Sequence, residues 1–102
     1  EEAVHKLTAA PARLYGVRDR GVLREGAHAD VVVFDPATVG ATEVGTRFDL
    51  PGGAGRLYAD ATGIHDVLVA GQQIAVDGEY TGVRPGRVLR SGADTETPTL
   101  EL

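Results

Sequence analysis

The run Gly21-Val22-Leu23-Arg24-Glu25-Gly26-Ala27-His28-Ala29-Asp30-Val31-Val32-Val33-Phe34-Asp35-Pro36 most constrains what this chain can fold into. Val31 to Phe34 is unbroken apolar sequence and rich in β-branched residues, so it favours a strand. Because the apolar residues are consecutive rather than alternating, the strand is expected to be covered on both faces. Asp35-Pro36 ends it, since proline has no N–H to donate to a ladder. Upstream, Val22-Leu23 reads as a shorter strand and Glu25-Gly26 as a turn. This stretch makes the expected fold mainly β.

The chain has 102 residues, enough for one small domain. A compact chain of this length buries about two-thirds of its unfolded surface around a single core. Hydrophobic residues make up 42% and aromatics only 5%, with no Trp, so Val, Leu, Ile and Ala must build that core. The net charge is −5, with acidic and basic residues mixed and no Lys/Arg stripe. That argues against nucleic acid and anionic membrane surfaces as partners. The absence of Cys removes disulfides and thiolate catalysis. No apolar run approaches the ~20 residues that span a bilayer. No basic-then-apolar signal stands at Glu1, so a cytoplasmic location is expected. Met is absent, and Glu1-Glu2-Ala3-Val4 reads like the inside of a helix without a cap. Both features lead us to expect a chain cut from something longer.

Apolar residues at helical spacing predict short helices over Glu1–Thr8 and Pro11–Tyr15. Pro11 suits a first turn, and Gly16 a left-handed helix end. The stretch from Ala37 to Gly63 is the least regular, with a short extended piece at Leu57-Tyr58-Ala59. Ile64 to Tyr80 reads as a β-hairpin turning at Ala70-Gly71. Asn-Gly is the favoured pair there, so Ala70 implies either another turn type or some strain. Gly78 ends the second strand. Thr81 to Leu89 is extended, with a bend at Pro85-Gly86. Ser91 to Leu102 is polar and has little to bury, as in a mobile tail.

No self-contained active site is visible. His5, His28 and His65 show no His-x-His or His-Glu-x-x-His spacing, so no two are preset as metal ligands. Gly52-Gly53-Ala54-Gly55-Arg56 lacks the Lys-Ser/Thr ending of a phosphate loop and opens no predicted helix, and reads as a connector. Asp30 and Asp35 bracket a strand from opposite ends and faces, which suits bonding to flanking turn N–H groups better than acid–base work. Arg84, Arg87 and Arg90 form a small basic cluster, read as a solvated face or a contact with an acidic neighbour. Ser91 and the threonines have no His/Asp partner set. Catalytic, cofactor-binding and metal-ligating residues are therefore all assigned as none.

Several segments together resemble the C-terminal end of the metal-dependent amidohydrolase superfamily. Leu7-Thr8-Ala9-Ala10-Pro11-Ala12-Arg13-Leu14-Tyr15-Gly16 resembles the final barrel helices. The run from Gly21 to Pro36 resembles the return into the family's small β-sandwich, and Ile64 to Gly78 its closing hairpin. Thr81-Gly82-Val83-Arg84-Pro85-Gly86-Arg87-Val88-Leu89-Arg90 resembles the ending of N-acyl-D-amino-acid deacylases. The resemblance spans about Glu2 to Asp94 and implies a division of the chain. Residues 1–18 would be a helical remnant of a (β/α)₈ barrel end, 19–90 part of the β-sandwich, and 91–102 a flexible tail. It also implies a parent enzyme that hydrolyses amide bonds with a zinc-activated water. The family's metal ligands lie on barrel strands, and no position here matches them, so no cofactor belongs to this chain. Its role would be structural, and its partners the missing barrel and N-terminal sandwich strands. Alone, its open edges could pair two copies into a homodimer. The competing reading is a stand-alone β-rich interaction module, contacting partners through Gly40–Gly55 or the arginine cluster. An independent small enzyme is disfavoured by the absent ligand spacing.

Overall fold

A computed structural model describes residues 1–99. The chain begins with two short helices, α1 (Glu2–Leu7) and α2 (Ala9–Leu14). The second starts two residues before the expected position. Pro11 still falls in its first turn, where a missing N–H costs nothing, and the first bond runs from Ala12 N to Thr8 O at 3.1 Å. Thr8 joins the helices, its Oγ1 donating to Val4 O at 2.7 Å.

Val22-Leu23 forms no strand, because no neighbouring strand offers it a ladder. The turn at Glu25-Gly26 is present, closed by Ala27 N donating to Arg24 O at 3.2 Å. It leads into β1 (Val31–Phe34), which occupies the residues expected of it. Its surroundings differ from expectation. Val32, Val33 and Phe34 are 51%, 45% and 37% exposed, so the strand is not covered on both faces.

β1 is the edge of a four-stranded antiparallel sheet with β6 (Ile64–Val69), β7 (Gln72–Val76) and β8 (Glu79–Tyr80), in the order β1-β6-β7-β8. Val32, Val67, Ala75 and Tyr80 stand in one cross-strand row. The expected hairpin is β6–β7. Ala70 and Gly71 have φ of 49° and 76°, so the turn takes two left-handed residues and Ala70 carries the strain. A second tight turn follows at Asp77-Gly78, with φ of 48° and 83°. The second strand ends before Gly78, as expected, and the turn leads into a further strand, β8, for which Asp-Gly was the sequence signal.

Between β1 and β6 the chain makes an arm of two short ladders. β2 (Gly40–Ala41) pairs with β5 (Ala61–Thr62), and β3 (Gly45–Arg47) pairs with β4 (Arg56–Tyr58). Of these only β4 overlaps the extended piece read from sequence. A tight turn over residues 50–53, closed by Gly53 N donating to Leu50 O at 3.1 Å with Gly52 at φ 72°, forms the tip, so the glycine run is a connector. At the root, Asp35 N donates to Gly63 O at 2.9 Å and Thr62 Oγ1 to Thr38 O at 3.0 Å. The crossing is so tight that a Cβ on Gly63, at φ +70°, would sit 2.5 Å from Val39 N. Only glycine fits there.

Residues 81–90 add no strand. The following stretch returns to the helical end. Thr95 bridges to Val17, Glu96 N donates to Gly16 O at 2.8 Å, and Asp94 binds Arg87 at 2.7 Å and Arg90 N at 2.8 Å. Residues 100–102 of the expected tail lie outside the described residues.

Among the described residues the expected single core is absent. Ala75, at 9% exposure, is the most enclosed apolar residue among those described. The accessible surface is 8271 Å², against about 5,500 Å² for a compact monomer of this mass. The radius of gyration is 16.7 Å, against about 13 Å for a compact domain of this length. No strand of the arm packs substantially on the sheet. The apolar residues that the composition promised to a core lie mostly open.

Candidate functional site

A strongly apolar opening lies between α1, the segment 21–23 and β1. Val4 and Leu7 face it from α1, three residues apart and hence on one side of the helix. Val22 and Leu23 line it from the chain after α2, and Val32 and Phe34 from β1. Leu7 and Leu23 are 80% and 83% exposed. β1 borders the groove with an open backbone edge. Asp35 N bonds toward the β6 side, so by the two-residue period the N–H and C=O groups of Val32 and Phe34 point away from it. The groove thus offers apolar side chains beside unpaired ladder groups. That suits an incoming strand or apolar surface, not a polar small molecule.

Asp30 sets the geometry of this opening. Its carboxylate accepts the Ala70 N–H at 3.0 Å and forms an ion pair with Arg20. Gly71 N donates to Ala29 O at 3.0 Å beside it. One short loop therefore ties the helical end to the hairpin tip. The Ala70 N–H, aided by Arg20 and working against partial desolvation, holds the Asp30 carboxyl below the usual carboxylate range. The partner of Asp30 lies 40 residues away, which sequence reading missed. Asp35 behaves as expected, accepting Ala37 N at 2.8 Å in the flanking turn.

The remaining candidates stay apart. His5 sits on α1, His28 in the loop before β1, and His65 on β6 with Nδ1 3.5 Å from Asp77 Oδ1. Among the described residues no His, Asp and Glu group is placed to hold a metal ion, so the residues present do not fit a zinc site. In the arginine cluster, Arg87 is paired with Asp94, whose carboxyl is held low first by the Arg90 N–H and then by Arg87. The arm carries a separate polar assembly that sequence reading missed. Arg47 stacks on Tyr58 at 3.4 Å from the ring centroid, and Arg56 grips Asp49 through two bonds of 2.6 and 2.7 Å. The Arg56 guanidinium holds the Asp49 carboxyl low. No helix among the described residues is long and apolar enough to cross a membrane.

Comparison with known proteins gives this open segment a context. The model of the amidohydrolase family matches residues 1–75. An N-acyl-D-aspartate deacylase from Alcaligenes xylosoxydans xylosoxydans is 47% identical over 93 residues, covering 90% of this chain and 17% of that protein. An N-acyl-D-glutamate deacylase from the same organism is 44% identical over 93 residues, 91% of this chain and 17% of its own length. A D-aminoacylase, also from that organism, is 42% identical over 89 residues, 87% of this chain and 16% of its own. The chain thus spans about a sixth of the length of the relatives it matches. No solved structure matches. With a family model covering three-quarters of its residues, this chain belongs to the amidohydrolase family.

Proposed function

We propose that this chain is the non-catalytic C-terminal β segment of a zinc-dependent amidohydrolase that removes the acyl group from N-acyl-D-amino acids. The observation that carries the reading is identity of 42–47% to three deacylases across about nine-tenths of the chain. The open apolar groove and missing core support it, because they describe a surface built to be covered by more protein. In this reading α1 and α2 close a (β/α)₈ barrel. The strand edge at β1 receives N-terminal strands and so completes a small sandwich. The zinc ligands and general base belong to residues outside these 102. The segment contributes rigidity, bracing the barrel through the Asp30 loop.

The test is reconstitution. The remainder of the polypeptide, expressed without this segment, should lack deacylase turnover on N-acetyl-D-aspartate, N-acetyl-D-glutamate and N-acetyl-D-methionine. Adding the 102-residue chain, or restoring it in cis, should return turnover. Full activity without it would sink the structural role, and a full-length protein inactive on all three substrates would sink the deacylase assignment.

A further inference from the structure

The arm between β1 and β6 has two unlike faces. Gly45 pairs with Tyr58, Thr46 with Leu57, and Arg47 with Arg56. Cross-strand partners share a face and neighbours alternate, so Arg47, Arg56 and Tyr58 occupy one side and Thr46 and Leu57 the other. Phe48 joins the second side: a Cβ built on Gly55 would lie 3.0 Å from its ring and 3.3 Å from the Thr46 methyl. The charged face is satisfied internally by the Arg47–Tyr58 stack, the Arg56–Asp49 pair and Tyr58 Oη donating to Asp60 at 2.9 Å. The apolar face is not. Leu57 and Phe48 are 76% and 73% exposed, and the arm does not fold back onto the sheet to cover them. Two-stranded ribbons are marginal in water, so an uncovered apolar face is a poor resting state for one.

We infer that the Thr46–Phe48–Leu57 face of the arm docks against an apolar, uncharged surface on the rest of the same polypeptide. This rests on the reading above that the chain is part of a longer protein. The relatives it matches hold about five-sixths of their length outside the matched segment, which leaves ample chain to supply that surface. The arm springs from the junction of β1 and β6, so its uncovered face and the β1 groove belong to neighbouring elements. One large body can cover both. A second copy would have to satisfy two differently shaped openings through one symmetry axis.

The experiment is amide hydrogen exchange and thermal unfolding on the full-length protein, comparing wild type with Leu57→Glu. Docking predicts that wild-type amides of 45–47 and 56–58 are protected. Leu57→Glu should speed their exchange about tenfold or more and lower the Tm at unchanged molecular mass. Should Leu57→Glu fail to fold, Leu57→Thr keeps strand preference while removing the apolar contact, and should show the same change in milder form. Fast exchange of these amides in wild type, or no response to either variant, overturns the inference. So does a response that scales with protein concentration and halves the mass, which would make a second copy the occupant. A full-length protein without deacylase turnover would instead defeat the enzymatic reading, leaving the exchange result to stand by itself.

Discussion

The four-stranded sheet and the arm are both antiparallel and occupy adjacent stretches of one chain, yet they are held by different forces. In the sheet, apolar side chains stand in register across strands, and its most enclosed residue, Ala75, lies in the row from Val32 to Tyr80. In the arm, ladders of two and three residues are reinforced by ion pairs and an arginine–tyrosine stack at the surface. Burial stabilises by removing apolar area from water, whereas exposed ion pairs are screened and contribute little. The sheet is thus the part of the fold that can resist unfolding, and the arm the part that needs something beyond itself.

The largest expected effect follows at the centre of the sheet. Ala75→Asp would place a charge at the most enclosed position of the sheet and cost about 3 kcal/mol or more, read by urea unfolding. A milder loss would mean that the sheet is no better packed than the arm. Gly63→Ala comes next. Its Cβ would meet backbone at the arm root with φ positive, so about 2 kcal/mol should be lost, with exchange rising first in the arm. Equal loosening of the sheet would show that the two regions unfold as one.

Asp30→Asn should cost about 1–2 kcal/mol, because the charge-assisted bonds to Ala70 N–H and Arg20 weaken. Acid titration provides a second readout. The folded-state pKa of Asp30 lies below its unfolded value, so its contribution is present above the ordinary carboxylate range. It fades as pH falls below about 4 through the depressed pKa. Asp30→Asn should flatten that acid limb, and an unchanged limb would remove the loop as a link between helices and hairpin. The smallest effect runs the other way. Ala70→Gly should stabilise by about 0.5–1 kcal/mol by relieving the left-handed alanine at the turn.

Val33 sharpens the comparison further. A strand covered on both faces, as the apolar run leads us to expect, would lose its fold on Val33→Asp, because an unpaired charge would be buried. Val33 is 45% exposed at the sheet edge, so in the 102-residue chain the cost should be about 1 kcal/mol or less. If a full-length protein covers that edge, the same substitution there should be far more damaging. Thermal melts of the two side by side measure that difference.

Local chemistry made several elements legible from sequence. The β-branched run at Val31–Phe34, the alternation around Ala70-Gly71 and the helical spacing before Gly16 each correspond to an element in the structure. Patterns of this kind report the preference of a segment for itself or for its sequence neighbour. The sequence by itself therefore determined a mainly β chain with a short helical start, lacking any metal-ligand spacing of its own. Tertiary structure decided the rest. It left Val22-Leu23 without a strand partner, drew Asp30 to an amide 40 residues away, and folded 40–62 into an arm. It also turned an apolar run expected at a core into an open edge. Each outcome depends on which distant groups come within a few ångströms, and no local preference encodes that. The same apolar pattern serves a buried strand and one waiting for a neighbour, because hydrophobic free energy depends on area removed from water, whichever chain removes it.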